Sequence, residues 1–224
     1  VPHGAKLMLK YVVPNAPMIC FNGGGVYDFE TDKIIWSRTL DSDAKKVVEY
    51  IDKMFDFVGI EICTLEKIYF SKINRLVREH QAFEHLPDNP LNYSQINEKW
   101  QKVLFMTEED QLQSIKDAIA ASPYSDTFTY VQSSPWYYEI LPKNSTKGEG
   151  LIHLAEFLGI DISHTIGIGD NENDIGLVKK AGVGIAVSNA IEQVKNAADY
   201  ITVDNNSGAV ASVIYALEHE KIKL

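Results

Sequence analysis

Cysteine is scarce in this chain. Only Cys20 and Cys63 occur among 224 residues, and no CxxC spacing links them. A thiolate zinc site and a dithiol redox motif are therefore unsupported. Both residues read as small buried apolar side chains. A surplus of positive charge is also missing. The 31 acidic residues outnumber the 21 basic ones, for a formal charge of -10, which disfavours nucleic acid as a partner. Lys67, Lys72, Arg75 and Arg78 lie in a mixed-charge segment that reads as a solvated helix face. No apolar run reaches the length of a membrane span, and no secretory core region is present. The reading is a cytoplasmic protein with no membrane partner. The chain starts at Val1 rather than methionine, so an upstream start is expected. A GxSxG elbow is absent, which leaves a serine hydrolase unsupported. His3, His80, His85, His153, His164 and His219 show neither HxxxH nor HExxH spacing. They read as surface or capping residues. No internal repeat and no low-complexity stretch is present.

What is there begins with alternating strand and helix signals in the last third. Thr146-Lys147-Gly148-Glu149 resembles a capping box, the apolar face Leu151, Ile152, Leu154, Ala155 and Leu158 follows, and Gly159 is a natural stop. Strands are expected at 165–168, 183–187 and 200–203, with a helix over 171–181. Asn189-Ala190-Ile191-Glu192 offers a second capping box. Val210, Val213, Ile214 and Leu217 mark a last amphipathic helix. Repeated β-α units of this length predict a parallel sheet with helices on both faces. Near the start, a helix is expected over 5–12, then a strand at 18–21, then Asn22-Gly23-Gly24-Gly25, then a hairpin from 26–28 to 33–37.

The middle has a different texture. A helix carries Val47, Val48, Ile51, Met54 and Phe55, and 61–70 has strand character. A strand at 103–106 precedes a helix capped by Thr107 and carrying Leu112, Ile115 and Ile119. Two more strands cover 126–132 and 136–141. This order suits an α+β module inserted in an outer α/β frame. The division is 1–39, 40–142 and 143–224, the middle part being the insert. Tyr124, Tyr130, Trp136, Tyr137 and Tyr138 form an aromatic group in the insert, read as packing with a substrate-pocket role as the alternative.

Three segments could carry chemistry. Asp170 follows a short apolar strand and Gly169, where open α/β sheets bind ligands. Asp174 stands four positions later on the same side, and the pair suits Mg²⁺, which takes few protein ligands. The plainer reading of an aspartate here is a helix cap. Gly167-x-Gly169 is not a dinucleotide fingerprint, because Glu172 stands where the third glycine belongs. Lys147 falls in the first turn of a helix, unfavourably for the dipole, and either lies on the surface or neutralises a bound phosphate. Asn22 to Gly25 either turns into the hairpin or lets backbone amides approach an anion.

In order, these segments resemble the haloacid dehalogenase superfamily of phosphatases, and most of all its Cof-like class with an α/β cap. The matching stretches are Phe21-Asn22-Gly23-Gly24, Tyr138-Glu139-Ile140-Leu141-Pro142, Ser145-Thr146-Lys147-Gly148, Ile168 to Asp174, Ala186-Val187-Ser188-Asn189-Ala190 and Ala198-Asp199-Tyr200. The resemblance implies a Rossmann-like core, with the module near 40–142 as the cap that sets substrate choice. It implies that Lys147 holds the substrate phosphate and that Asp170 is a Mg²⁺ ligand. Asp174 supports or ligates the metal site, Asn173 orients the phosphate, and Asn22 and Gly23 lie near the substrate. Its mechanism uses a nucleophilic aspartate in an early DxD motif and a second aspartate as acid and base. Neither that motif nor the Ser/Thr motif after it is present. Asp41-x-Asp43 has the spacing but reads as helix capping. The core is therefore expected to lack its first strands, and these residues alone to be inactive with weak or no Mg²⁺ binding. Self-association through exposed sheet edges is a further expectation. The parent activity implied is hydrolysis of a small phosphorylated metabolite such as a sugar phosphate. The alternative is a non-enzymatic protein that holds a phosphorylated ligand.

Overall fold

The computed structural model describes residues 14–222. The helix expected over 5–12 lies outside the described residues. The chain divides into two compact units between Ser145 and Thr146.

In the first unit, β1 (Met18–Cys20), β2 (Gly25–Asp28) and β3 (Lys33–Ser37) form an antiparallel sheet in that order. Asp28 closes the β2–β3 turn by accepting from the Glu30 N–H at 3.0 Å and the Thr31 hydroxyl at 2.7 Å. Helix α1 (Asp43–Met54) buries Ala44, Val47, Val48 and Ile51. The Asp41 carboxylate accepts from the Asp43 N–H at 2.9 Å at its start, and Asp43 pairs with Lys46. Both aspartates of the DxD-like spacing thus serve the helix terminus.

Three local expectations change in the middle. The strand character of 61–70 resolves into two antiparallel strands, β4 (Gly59–Thr64) and β5 (Ile68–Lys72). Thr64 folds the chain back between them: its hydroxyl accepts from the Lys67 N–H, and its own N–H donates to the Lys67 carbonyl. The mixed-charge segment is not one helix face either. Lys72 ends β5 and pairs with Asp52 at 2.7 Å, while Arg75 and Arg78 lie exposed on α2 (Arg75–Phe83). Asn74 caps α2 by accepting from the Val77 N–H. After β6 (Trp100–Met106), α3 (Glu109–Ala120) starts from Glu108 without a side-chain cap. Thr107 is buried and donates instead to the Gln111 side chain at 2.8 Å.

With β7 (Thr129–Ser134) and β8 (Tyr137–Leu141), an antiparallel sheet of order β5-β4-β6-β8-β7 is complete. Strand alternation sends neighbouring residues to opposite faces. One face packs Ile60, Ile62, Val103, Phe105 and Ile140 against α1 and α3. The other carries Cys63, Phe70, Leu104 and Met106 beneath Cys20, Phe21 and Tyr27. Both cysteines are buried and unpaired, and burial raises the pKa of each thiol.

The second unit is a parallel sheet in which β10 (Val183–Val187) lies between β9 (Ile166–Gly169) and β11 (Tyr200–Thr202), flanked by helices. Helix α4 (Lys147–Leu158) starts where Thr146 accepts from the Glu149 N–H and ends at Gly159, whose φ of 65° is the left-handed cap conformation. Strand β9 (Ile166–Gly169) leads through a short 3-10 turn, Glu172–Asp174, into α5 (Ile175–Lys180). The expected helix over 171–181 is thus split. Strand β10 (Val183–Val187) is buried at every position. Helix α6 (Glu192–Lys195) has no side-chain cap, so the expected box at Asn189 does not form. Asp199 ties the approach to β11 (Tyr200–Thr202) onto β10, accepting from the Gly184 N–H at 2.8 Å and donating its own to the Gly184 carbonyl. Helix α7 (Ala209–Glu218) buries Val213, while Val210 and Ile214 are exposed. No helix among the described residues is long and apolar enough to cross a membrane.

Candidate active site

Asp174 organises the second unit's polar end. It is buried, at 5 % exposure, and both of its carboxylate oxygens are engaged. One accepts from the Lys147 ammonium at 2.5 Å. The other accepts from the N–H groups of Asp170 at 3.0 Å and Asn171 at 3.3 Å. The turn permits this because Asn171 and Asp174 form a reciprocal capping box. Burial pushes the Asp174 pKa up, but the Lys147 charge and hydrogen bond, with the two backbone N–H groups, hold it below the ordinary carboxylate range. The carboxylate is therefore an anion that orients its neighbours.

Asp170 has the opposite environment. Burial and then the neighbouring Asp174 raise its pKa, while Asn205 and Lys147 pull it down. Its carboxylate, half-buried, lines a cavity of about 390 Å³ together with Lys147, Asp174, Asn205 and the start of α7 from Gly208 to Ala211. The apolar part of the wall comes from Ile168 and Val187. A cation, an acid with a strained charge and an aspartate that fixes both are therefore brought together on one end of a parallel sheet. Asn173 lies half-buried in the same turn.

Asn22 and Gly23 belong to the first unit. Phe21, Asn22 and Gly23 all adopt positive φ, at 53°, 54° and 95°. Such backbone is costly for phenylalanine and asparagine and persists only where surroundings enforce it. Here the Asn22 side chain donates to Glu139 at 2.9 Å. Glu139 is buried and also accepts from Lys102 at 3.1 Å and Ser133 at 2.5 Å.

Comparison with known proteins follows the same lines. Residues 2–214 match the haloacid dehalogenase-like hydrolase family. The chain belongs to this family. M6_Spy0533 of Streptococcus pyogenes serotype M6, named as a candidate phosphatase, is 33% identical over 204 residues, covering 88% of this chain and 74% of its own. A haloacid dehalogenase-like hydrolase from Bacteroides thetaiotaomicron superposes with a TM-score of 0.82 at 23% identity, covering 97% of this chain and 83% of its own. The subclass IIB sugar phosphatase BT4131 superposes with a TM-score of 0.78 at 20% identity, covering 96% of this chain and 79% of its own. The fold is that of the haloacid dehalogenase-like enzymes with an α/β cap, the Cof-like class.

Within that family frame, a small hard cation is the group the fold implies. The donor chemistry fits it in part: Asp170 offers carboxylate oxygens beside the cavity, while those of Asp174 are already hydrogen-bonded. Among the described residues, no group of three or more His, Cys, Asp and Glu is arranged to hold a metal ion. Sequence reading missed Glu139, the partner of Asn22 in the first unit, and Asn205, which lines the cavity in the second. Glu139 was visible as a lone charge in the apolar run Tyr137–Leu141. Asn205 lies in Asp204-Asn205-Asn206-Ser207, whose composition signals only a turn.

Proposed function

We propose that this protein is built for phosphoryl chemistry on small phosphorylated metabolites, sugar phosphates among them, with Mg²⁺ as cofactor. The observation that carries the reading is Asp174 bonded to Lys147 on one oxygen and to the Asp170 N–H on the other. This sets an ammonium beside a carboxylate, which supports a phosphate role for the first and a metal role for the second. When bound, Mg²⁺ would supply positive charge to a substrate phosphoryl group. Asp170 would hold it directly, and Asp174 would orient both Asp170 and Lys147. Lys147 would donate to a phosphate oxygen, and Asn173, Asn22 and Gly23 would lie on the substrate side. Residues 40–142 would act as the cap, with 1–39 and 143–224 as core.

Hydrolysis through an aspartyl-phosphate also needs a nucleophilic carboxylate and a second one for proton transfer. The only DxD-like spacing near a helix start, Asp41 and Asp43, is spent on α1. These 224 residues alone are therefore expected to bind orthophosphate without turning over phosphomonoesters, and to need a supplied carboxylate pair for catalysis. The test pairs p-nitrophenyl phosphate turnover in Mg²⁺ with ³¹P line broadening of orthophosphate. Expected is no turnover, with broadening lost in Lys147→Ala. Turnover abolished by Asp170→Ala would overturn the inactivity, and broadening unchanged in Lys147→Ala would overturn the phosphate role.

A further inference from the structure

Two loops beyond the sheet converge on Asp170. The loop after β10 holds its backbone, because the Ile191 N–H donates to the Asp170 carbonyl at 3.0 Å. The loop after β11 reaches its side chain, with Asn205 Nδ2 at 3.4 Å from Asp170 Oδ2. Asn189 joins the two loops. Its Oδ1 accepts from the Asn205 backbone N–H at 3.2 Å, and its Nδ2 donates to Asn205 Oδ1 at 3.0 Å.

The order of these bonds settles which way each amide points. A backbone N–H can only donate, so the atom of Asn189 that faces it is the oxygen. The amide nitrogen of Asn189 then faces Asn205, which must answer with its own oxygen. That leaves the Asn205 nitrogen, a donor, for Asp170. Asp204 stiffens the same turn by accepting from the Asn206 N–H and the Ser207 hydroxyl, each at 2.9 Å.

We propose that Asn189 and Asn205 form a brace that positions the Asp170 carboxylate for cation binding. Both are positioning residues: Asn205 acts on Asp170, and Asn189 acts by fixing the orientation of Asn205. The brace holds one carboxylate oxygen, Oδ2, by hydrogen bond and so fixes the direction in which the carboxylate would face an ion. Partners of this kind that orient a metal ligand change metal affinity by about 10–100-fold when removed. Asn189 and Asn205 are exposed, which sets the expectation at the low end.

This inference rests on reading Asp170 as a cation ligand. The experiment is Mn²⁺ titration of the whole chain, followed by the EPR signal of free Mn²⁺, with thermal unfolding run in parallel. Asn205→Ala is expected to weaken Mn²⁺ binding about tenfold with little change in melting temperature. Asn189→Asp is the sharper variant. It is nearly isosteric and keeps the acceptor for the Asn205 N–H, yet it loses the donor that orients Asn205. Asn205 then turns its nitrogen toward the new carboxylate and sets its oxygen against Asp170. Coulomb attraction alone would make the added charge tighten Mn²⁺, whereas the brace requires weaker binding. Tighter or unchanged binding in Asn189→Asp, or wild-type affinity in Asn205→Ala, overturns the brace. Weak binding is expected, so the titration runs to a large excess of Mn²⁺; if wild type shows no bound Mn²⁺ even there, the cation reading of Asp170 falls and the brace falls with it. The two failures are thus separated by which protein shows them.

Discussion

Replacing Glu139 by alanine is expected to cost about 3–5 kcal/mol, the penalty for stranding one partner of a buried ion pair. The stranded group is Lys102, whose side chain is only 14% exposed. Glu139 sits opposite Leu104 on β6, on the face of the five-stranded sheet that packs beneath Phe21 and Tyr27. Water cannot readily replace the lost carboxylate there. Burial alone would raise the Glu139 pKa, but the Lys102 charge and the hydrogen bonds from Ser133, Lys102 and Asn22 outweigh it and hold the pKa below the ordinary value. A depressed carboxylate pKa stabilises the fold above the unfolded value of about 4.3, and that contribution is lost as pH falls through the folded pKa. Lys102 runs the other way. Burial lowers its pKa, but Glu139, Cys63 and Glu61 raise it overall. Its contribution is complete below the unfolded value of about 10.4 and is lost as pH rises through the folded pKa. Wild type should therefore show a stability plateau between these limits, and Glu139→Ala should lose the acid-side step. Urea unfolding across pH reads both. A loss under about 1 kcal/mol would show that Lys102 finds another partner and would sink the argument. The double replacement Glu139→Leu with Lys102→Met should recover most of the loss, since a buried pair gains little over apolar residues of similar size. It should not restore the turn at Phe21 and Asn22, whose positive φ values lean on the Glu139 acceptor.

That contact also marks the limit of what sequence reading could reach. Asn22 and Glu139 are 117 positions apart, and no local pattern joins them. Glu139 could be seen as an odd charge in an apolar strand, but its partners come from three other segments. Long-range bonds such as this one were out of reach, but short range alone did not make a bond legible. The start of α4 depends on Thr146 and a residue three positions on, and the Asp170 to Asp174 turn closes within four positions. Both were readable, as was the parallel sheet that carries them. Residues 61–70 misled because Thr64 makes its turn with one hydroxyl and one carbonyl partner, with no glycine or proline to announce it. Asn189 misled for a related reason. It has the composition of a cap but finds a better-placed partner in Asn205, 16 positions away. Thr107 likewise spends its hydroxyl on Gln111 rather than on a backbone N–H. In each case a short polar side chain had two options, and the one taken differed from the cap or strand its composition suggested: a nearby partner for Thr64 and Thr107, and a distant one for Asn189.

Two glycines next to the site should answer the same substitution with opposite signs. Gly148 follows Lys147 at the start of α4, and a Cβ there would lie 2.3 Å from the backbone oxygen of Gly176 in α5. The obstacle is backbone, so it cannot rotate aside, and the two helices must separate. Gly148→Ala is expected to destabilise by about 1–3 kcal/mol, as overpacking of a close contact does. Gly176 faces the same junction, but its Cβ would meet nothing closer than the Thr146 hydroxyl at 3.4 Å, an ordinary contact. Gly176→Ala should therefore be neutral or should stabilise by up to about 1 kcal/mol through helix propensity. The functional consequence follows from position. Lys147 precedes Gly148 and Asp174 lies two residues before Gly176, so the close helix approach sets the 2.5 Å pairing of Lys147 with Asp174. Forcing the helices apart should pull the ammonium from the carboxylate. Orthophosphate broadening should then fall in Gly148→Ala, as is expected for Lys147→Ala, while Gly176→Ala should keep it. Equal stability and equal phosphate binding in the two glycine variants would show that the helix junction yields without cost and that Lys147 is placed by its own side chain alone.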